Sequence, residues 1–106
     1  MEMRKPDAWG MLWFLNARQY ADYMALFEDA SVMPPTFGRW QKRATQMYEE
    51  LLRQGAVVMK IHASADEFRA WCSLNGHRLN ADGRMAFGSF KACEKLRGAH
   101  ANHEDQ

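Results

Sequence analysis

An α+β domain ordered strand, helix, helix, strand, helix, helix is the architecture this sequence predicts, and three stretches carry it. In residues 56–74, Val57, Met59 and Ile61 alternate with Val58, Lys60 and His62, a period-two pattern that reads as a strand. A Ser-Ala-Asp-Glu run follows, and then Phe68, Trp71 and Cys72 at helical spacing. In residues 9–15, Trp-Gly-Met-Leu-Trp-Phe-Leu is apolar on both alternating faces, so a strand there needs cover on both sides. From Thr36 onward, Phe37, Trp40, Ala44, Met47 and Leu51 recur at steps of three and four, with Arg39, Lys42, Arg43, Gln46, Glu49, Glu50 and Arg53 lying largely away from that stripe.

In chain order, residues 1–8 read as a loose lead-in to the first strand. Asn16 and Gln19 stand as a helix cap and its partner three residues on, and Tyr20, Tyr23, Met24 and Phe27 then form a core stripe. Pro34 and Pro35 remove backbone donors and break the helical pattern. Thr36 opens the long helix, in which Glu49 and Arg53 are spaced as a favourable ion pair. Gly55 ends that helix and the second strand begins. Ser64 and Glu67 fit a capping box, the hydroxyl accepting from the Glu67 amide and the carboxylate reaching back to the Ser64 amide. Asn75-Gly76 closes the third helix. After a polar loop through Asn80, a last helix is expected from Ala81 to about Arg97, with Phe87, Phe90 and Cys93 on its apolar side; Gly83 and Gly88 weaken it by about 1 kcal/mol each relative to alanine. Residues 1–97 are read as a single domain and residues 98–106 as a disordered polar tail.

The two halves echo one another. Asn16, Gln19, Tyr20 and Tyr23 match Ser64, Glu67, Phe68 and Trp71, each set following an apolar strand, so the chain reads as two β-α-α units sharing a small sheet, with an internal pseudo-repeat or a chance likeness of amphipathic helices as the two explanations. A two-stranded sheet is marginal without further cover. Trp9, Trp13 and Phe14 put several kcal/mol of apolar burial on one strand at about 25 cal/mol per Å2. A second subunit covering or extending the sheet, most simply across a two-fold axis, is therefore expected.

At 106 residues the chain is one ordinary domain, and its formal charge of +1 marks no strong field for nucleic acid. Two cysteines make no disulfide framework; both fall on predicted helix faces and read as reduced, buried thiols of a cytoplasmic protein. The apolar run at 9–15 is too short to span a bilayer, and no targeting segment or membrane association is expected. Cys72 and His77 are close in sequence, but a core-facing thiol and a histidine beyond a glycine cap lack a third, orienting group. His100 and His103 sit in the tail, without the fixed geometry of a metal site. Asp66, Glu67 and Asp82 sit at helix starts, where dipole interactions alone account for carboxylates. No phosphate loop, nucleophile elbow, zinc spacing or dinucleotide fingerprint occurs, so no catalytic residue, metal or cofactor is expected. Arg39, Lys42 and Arg43 form one basic patch, and Lys91, Lys95 and Arg97 a second; aligned in a dimer they could meet phosphates.

Trp40 after Pro-Thr-Phe, Phe68-Arg-Ala-Trp71-Cys72, and Gly83-Arg-Met-Ala-Phe87 together resemble a pattern of small uncharacterised bacterial proteins, some from mobile gene cassettes. The resemblance spans roughly residues 20–92 and implies a bacterial cytoplasmic origin and a similar fold, with no activity attached. The expected function is a small, non-catalytic, homo-oligomeric interaction or ligand-binding protein. Trp9, Trp13, Phe14, Trp40 and His62 are its interface or pocket candidates, and an apolar or cationic small molecule is the expected ligand. A nucleic-acid-associated regulator is the alternative.

Overall fold

The computed structural model describes residues 8–104, with side chains from Ala8 to Gly98. Its elements are β1 (Ala8–Leu12), α1 (Ala17–Met24), a single 3-10 turn (Ala30–Val32), α2 (Phe37–Arg53), β2 (Val57–Ile61), α3 (Ala65–Asn75) and α4 (Ala81–Glu104). This is the predicted α+β order. The strand–helix–helix order occurs twice, but the packing of the two halves differs, as the crossing of β1 and α4 shows below.

β1 and β2 pair in parallel, Gly10 opposite Met59 and Leu12 opposite Ile61. A parallel pair needs a long crossover, and α1 and α2 supply it. The register puts Gly10 and Leu12 on the same face as Met59 and Ile61, and Trp9 and Met11 on the face of Val58 and Lys60. α4 lies against the Gly10 face. α2 lies toward the other, where the Lys60 ammonium sits 4.8 Å from the centre of the Tyr48 ring.

β1 is shorter than the apolar run that predicts it. The paired part of β2 ends at Ile61, so the ladder stops at Leu12, and only the Trp13 amide continues it by donating to the Ile61 carbonyl at 2.8 Å. Beyond that point the chain turns inward. Phe14 packs against Tyr20, Tyr23 and Trp40 with ring centroids 4.6–5.4 Å apart. Trp13 meets Trp40 edge-on at 5.2 Å and lies under Lys60, whose ammonium is 4.3 Å from its centroid. Trp13 is 8 % exposed, Phe14 2 % and Trp40 7 %. Of Trp9, Trp13 and Phe14, the rings expected to need a second subunit, Trp13 and Phe14 are sheltered by the subunit's own helices, which corrects the expectation for those two; Trp9, 49 % exposed, is the ring left outside.

Local capping explains the helix starts. Asn16 Oδ1 accepts from the Gln19 amide at 2.9 Å, and Gln19 Oε1 accepts from the Leu15 amide at 2.8 Å. Thr36 and Ser64 cap α2 and α3 in the same way. The reciprocal half of the capping box at Ser64 is not made; the Glu67 carboxylate instead accepts from Lys91 Nζ on α4 at 2.9 Å, an interhelix contact no local pattern reveals. Arg53 pairs with Glu50, one residue from its expected partner Glu49. Gly55 and Gly76 adopt the left-handed conformation that ends α2 and α3 (φ 85° and 72°). Asn80 Oδ1 accepts from the Asp82 amide at 3.0 Å, opening α4. That helix runs through Arg97 and Gly98 to Glu104, where the sequence suggests a disordered tail from residue 98. One glycine is too small a penalty to stop it, and no proline follows. Of the lead-in expected at 1–8, Ala8 belongs to β1, and residues 1–7, like the last two tail residues, lie outside the described residues.

The centre of the core is Tyr23, Ile61, Phe68, Cys72 and Phe87. The Tyr23 hydroxyl donates to the Ala63 carbonyl at 2.7 Å and lies 3.0 Å from that of Ser64, so the buried phenol is satisfied where β2 hands over to α3. Among the described residues no helix is long and apolar enough to cross a membrane.

Candidate functional site

A groove of about 480 Å3 runs along β1 between α2 and α4. β1 forms its floor with Trp9, Gly10, Met11 and Leu12. One wall is the α2 stripe of Trp40, Met47 and Leu51, spaced by seven and four residues. The other is the first two turns of α4, with Ala81, Arg84 and Met85, and Met33 from the proline-rich loop closes one end. The helical spacing that marks α2 as amphipathic thus has two uses. Ala44 and Tyr48 turn toward the domain, while Met47 and Leu51 turn toward the groove. Met47 and Met85, one on each wall, remain 54 % and 62 % exposed.

Arg84 is the one charged side chain in the lining. Its two terminal nitrogens donate to the two Asp29 oxygens at 2.9 and 3.0 Å, and its guanidinium stacks 4.4 Å from the centre of the Phe27 ring. Those hydrogen bonds hold the Asp29 carboxyl below its ordinary value, against the opposing effect of burial. The bidentate pair is internally neutral, so the groove presents thioethers, aromatic rings and two branched alkyl chains. Methionine suits such a wall because its unbranched, polarisable chain adapts to different shapes.

Of the five residues singled out from sequence, Trp9, Phe14 and Trp40 line the groove. Trp13 does not: it is buried beneath Lys60. His62 stands exposed at the end of β2, with Nδ1 3.3 Å from the Trp13 carbonyl. The sequence reading missed Met33, Met47, Leu51, Arg84 and Met85 as groove residues. Met47 and Leu51 belong to the apolar stripe of α2 by spacing, and the structure turns them to the groove. A usable signal was nonetheless present, since a chain of 106 residues with eight methionines places Met11, Met33, Met47 and Met85 around one cavity.

The other candidates are accounted for by packing. Burial pushes the Cys72 thiol up, which opposes thiolate formation. His77 stacks flat on Trp71, centroids 5.2 Å apart and planes 5° off parallel. Cys93 is exposed, correcting the expectation that both cysteines are buried; both are free thiols. Lys91 is tied to Glu67 and Glu94, which raise its pKa, so one of the three cations of the second basic patch is engaged within the fold. Among the described residues no group of three His, Cys, Asp or Glu is placed to hold a metal ion; the side chains of His100 and His103 lie outside that description. No family model, curated protein or solved structure matches the chain.

Proposed function

We propose that the chain is a small, non-catalytic binding protein and that the groove along β1 is its site for an apolar small molecule. The observation that carries this reading is the lining. A cavity of about 480 Å3 walled by Trp9, Met11, Trp40, Met47, Leu51 and Met85 falls within the size range of small-ligand sites. Its single charge is already paired. Such a wall offers dispersion and apolar burial and places no general acid or base against a reacting atom.

A thermal-shift titration with decan-1-ol tests this. Binding to the folded state raises the melting temperature with the logarithm of the ligand's excess over Kd. Met47→Glu, on an exposed wall position, removes that rise while leaving the unliganded melting temperature within about 2 °C, since exposed substitutions change stability little. The reading fails if no apolar probe raises the melting temperature, or if Met47→Glu responds like the parent.

The half-exposed Trp9, with Met47 and Met85 beside it, favours a second use of the same face, as a homodimer contact. Light scattering on the eluting protein at tens of micromolar separates the two. A dimer that decan-1-ol dissociates joins both uses on one face, and a monomer leaves the ligand reading alone.

A further inference from the structure

We propose that the ligand of this groove is a single-chain amphiphile with an anionic head, a medium-chain carboxylate in chemical class, whose head group is received by Arg39 and Arg43. This rests on the groove being a ligand site and adds the identity of the head. Met33 lines both the groove and an adjoining depression of about 370 Å3 formed with Val32, Pro34, Pro35, Arg39 and Arg43. The two cavities therefore meet at one side chain. Arg39 and Arg43 are one helical turn apart on the same face of α2, and Arg43 stands between Trp40 and Met47 in sequence, beside the groove wall.

Their charges are uncommitted. Among the described residues neither arginine makes an ion pair, whereas Arg53, Arg69, Arg78, Arg84 and Lys91 each do. No carboxylate occurs in α2 before Glu49, and Glu50, further along the helix, is taken by Arg53. Lys42 and the N-terminal end of a 17-residue helix add positive potential at the same end. An apolar channel opening onto two free guanidinium groups matches an alkyl chain ending in a carboxylate, because guanidinium and carboxylate form bidentate, charge-assisted hydrogen bonds. The same cations disfavour a quaternary ammonium head, which the aromatic lining alone would have admitted.

Three probes with one tail test the proposal on the intact protein by isothermal titration: decanoate, decan-1-ol and decyltrimethylammonium. Decanoate is expected to bind about tenfold more tightly than decan-1-ol, with the cation weakest. The double substitution Arg39→Gln, Arg43→Gln removes the preference for decanoate and leaves decan-1-ol affinity unchanged, and added salt weakens decanoate alone. Equal binding of all three tails, or a preference that survives the double substitution, overturns the head-group assignment while the groove stands. Binding of none overturns the groove itself. A stable dimer that takes up no probe puts a second copy in the groove and overturns both.

Discussion

Gly10 of β1 and Gly88 of α4 cross with their backbones in contact. A Cβ built on Gly10 would lie 1.9 Å from the Gly88 carbonyl oxygen, and one built on Gly88 would lie 2.1 Å from that of Gly10. Neither site tolerates a methyl group without separating strand from helix. Gly88→Ala is therefore expected to lose about 3 kcal/mol by urea unfolding, outweighing the gain of about 1 kcal/mol that alanine brings to a helix. Gly10→Ala should cost a similar amount. The double substitution should cost less than the sum, because one separation of the backbones accommodates both methyl groups. Gly38→Ala, with nothing within 4 Å of its Cβ, is the control and should be neutral to slightly stabilising.

The Asp29–Arg84 pair ties the loop after α1 to the first turn of α4, with both side chains only about a quarter exposed or less. Its carboxyl titrates below the ordinary value of 3.8 in the folded state. The unfolded chain therefore takes up the proton first, and the pair's stabilisation is complete above about pH 4 and lost as pH falls through the folded value. Asp29→Asn should cost about 1 kcal/mol at neutral pH. The stability curves of parent and variant should converge in acid, as pH falls through the folded-state value. A gap that persists unchanged into acid would assign the effect to packing.

Tyr23 carries the opposite dependence. Burial raises its phenol well above the ordinary value of 10.0. The folded state keeps the proton while the unfolded chain gives it up, so this contribution is whole below about pH 10 and declines above it. Tyr23→Phe should lose about 1–2 kcal/mol at neutral pH by removing the nearer of two donors to the Ala63 carbonyl, the other being Gln19 Nε2 at 3.4 Å. It should also show a shallower alkaline loss of stability than the parent.

Most of the fold was legible because its signals are local. Caps at Asn16, Thr36 and Ser64, left-handed glycines at 55 and 76, and the period-two pattern of β2 each act within a few residues. What failed was long-range. Gly83 and Gly88 look like defects in a helix. In the fold, Gly88 is the crossing point with β1, and a Cβ on Gly83 would meet the Arg78 carbonyl at 2.0 Å. Glu67 looks like half a capping box until α4 brings Lys91 to it. The candidate site was half legible for the same reason. Trp9, Phe14 and Trp40 announce themselves by size, but Trp13 faces the core only because the chain leaves the sheet after Leu12. Met85 and Arg84 join the groove only because α4 crosses β1, a packing relation fifty or more residues distant and carrying no pattern of its own.

The occupancy of the groove is tested most directly by methyl resonances of methionine, observed in protein labelled with 13C at those methyl groups while decan-1-ol is added. Met11, Met33, Met47 and Met85 are expected to shift together along one saturation curve, while Met24 and Met59, neither of which lines the groove, stay in place. Shifts confined to Met24 and Met59, or no saturable shift at any of the four groove methionines, would contradict the assignment of this groove as the binding site.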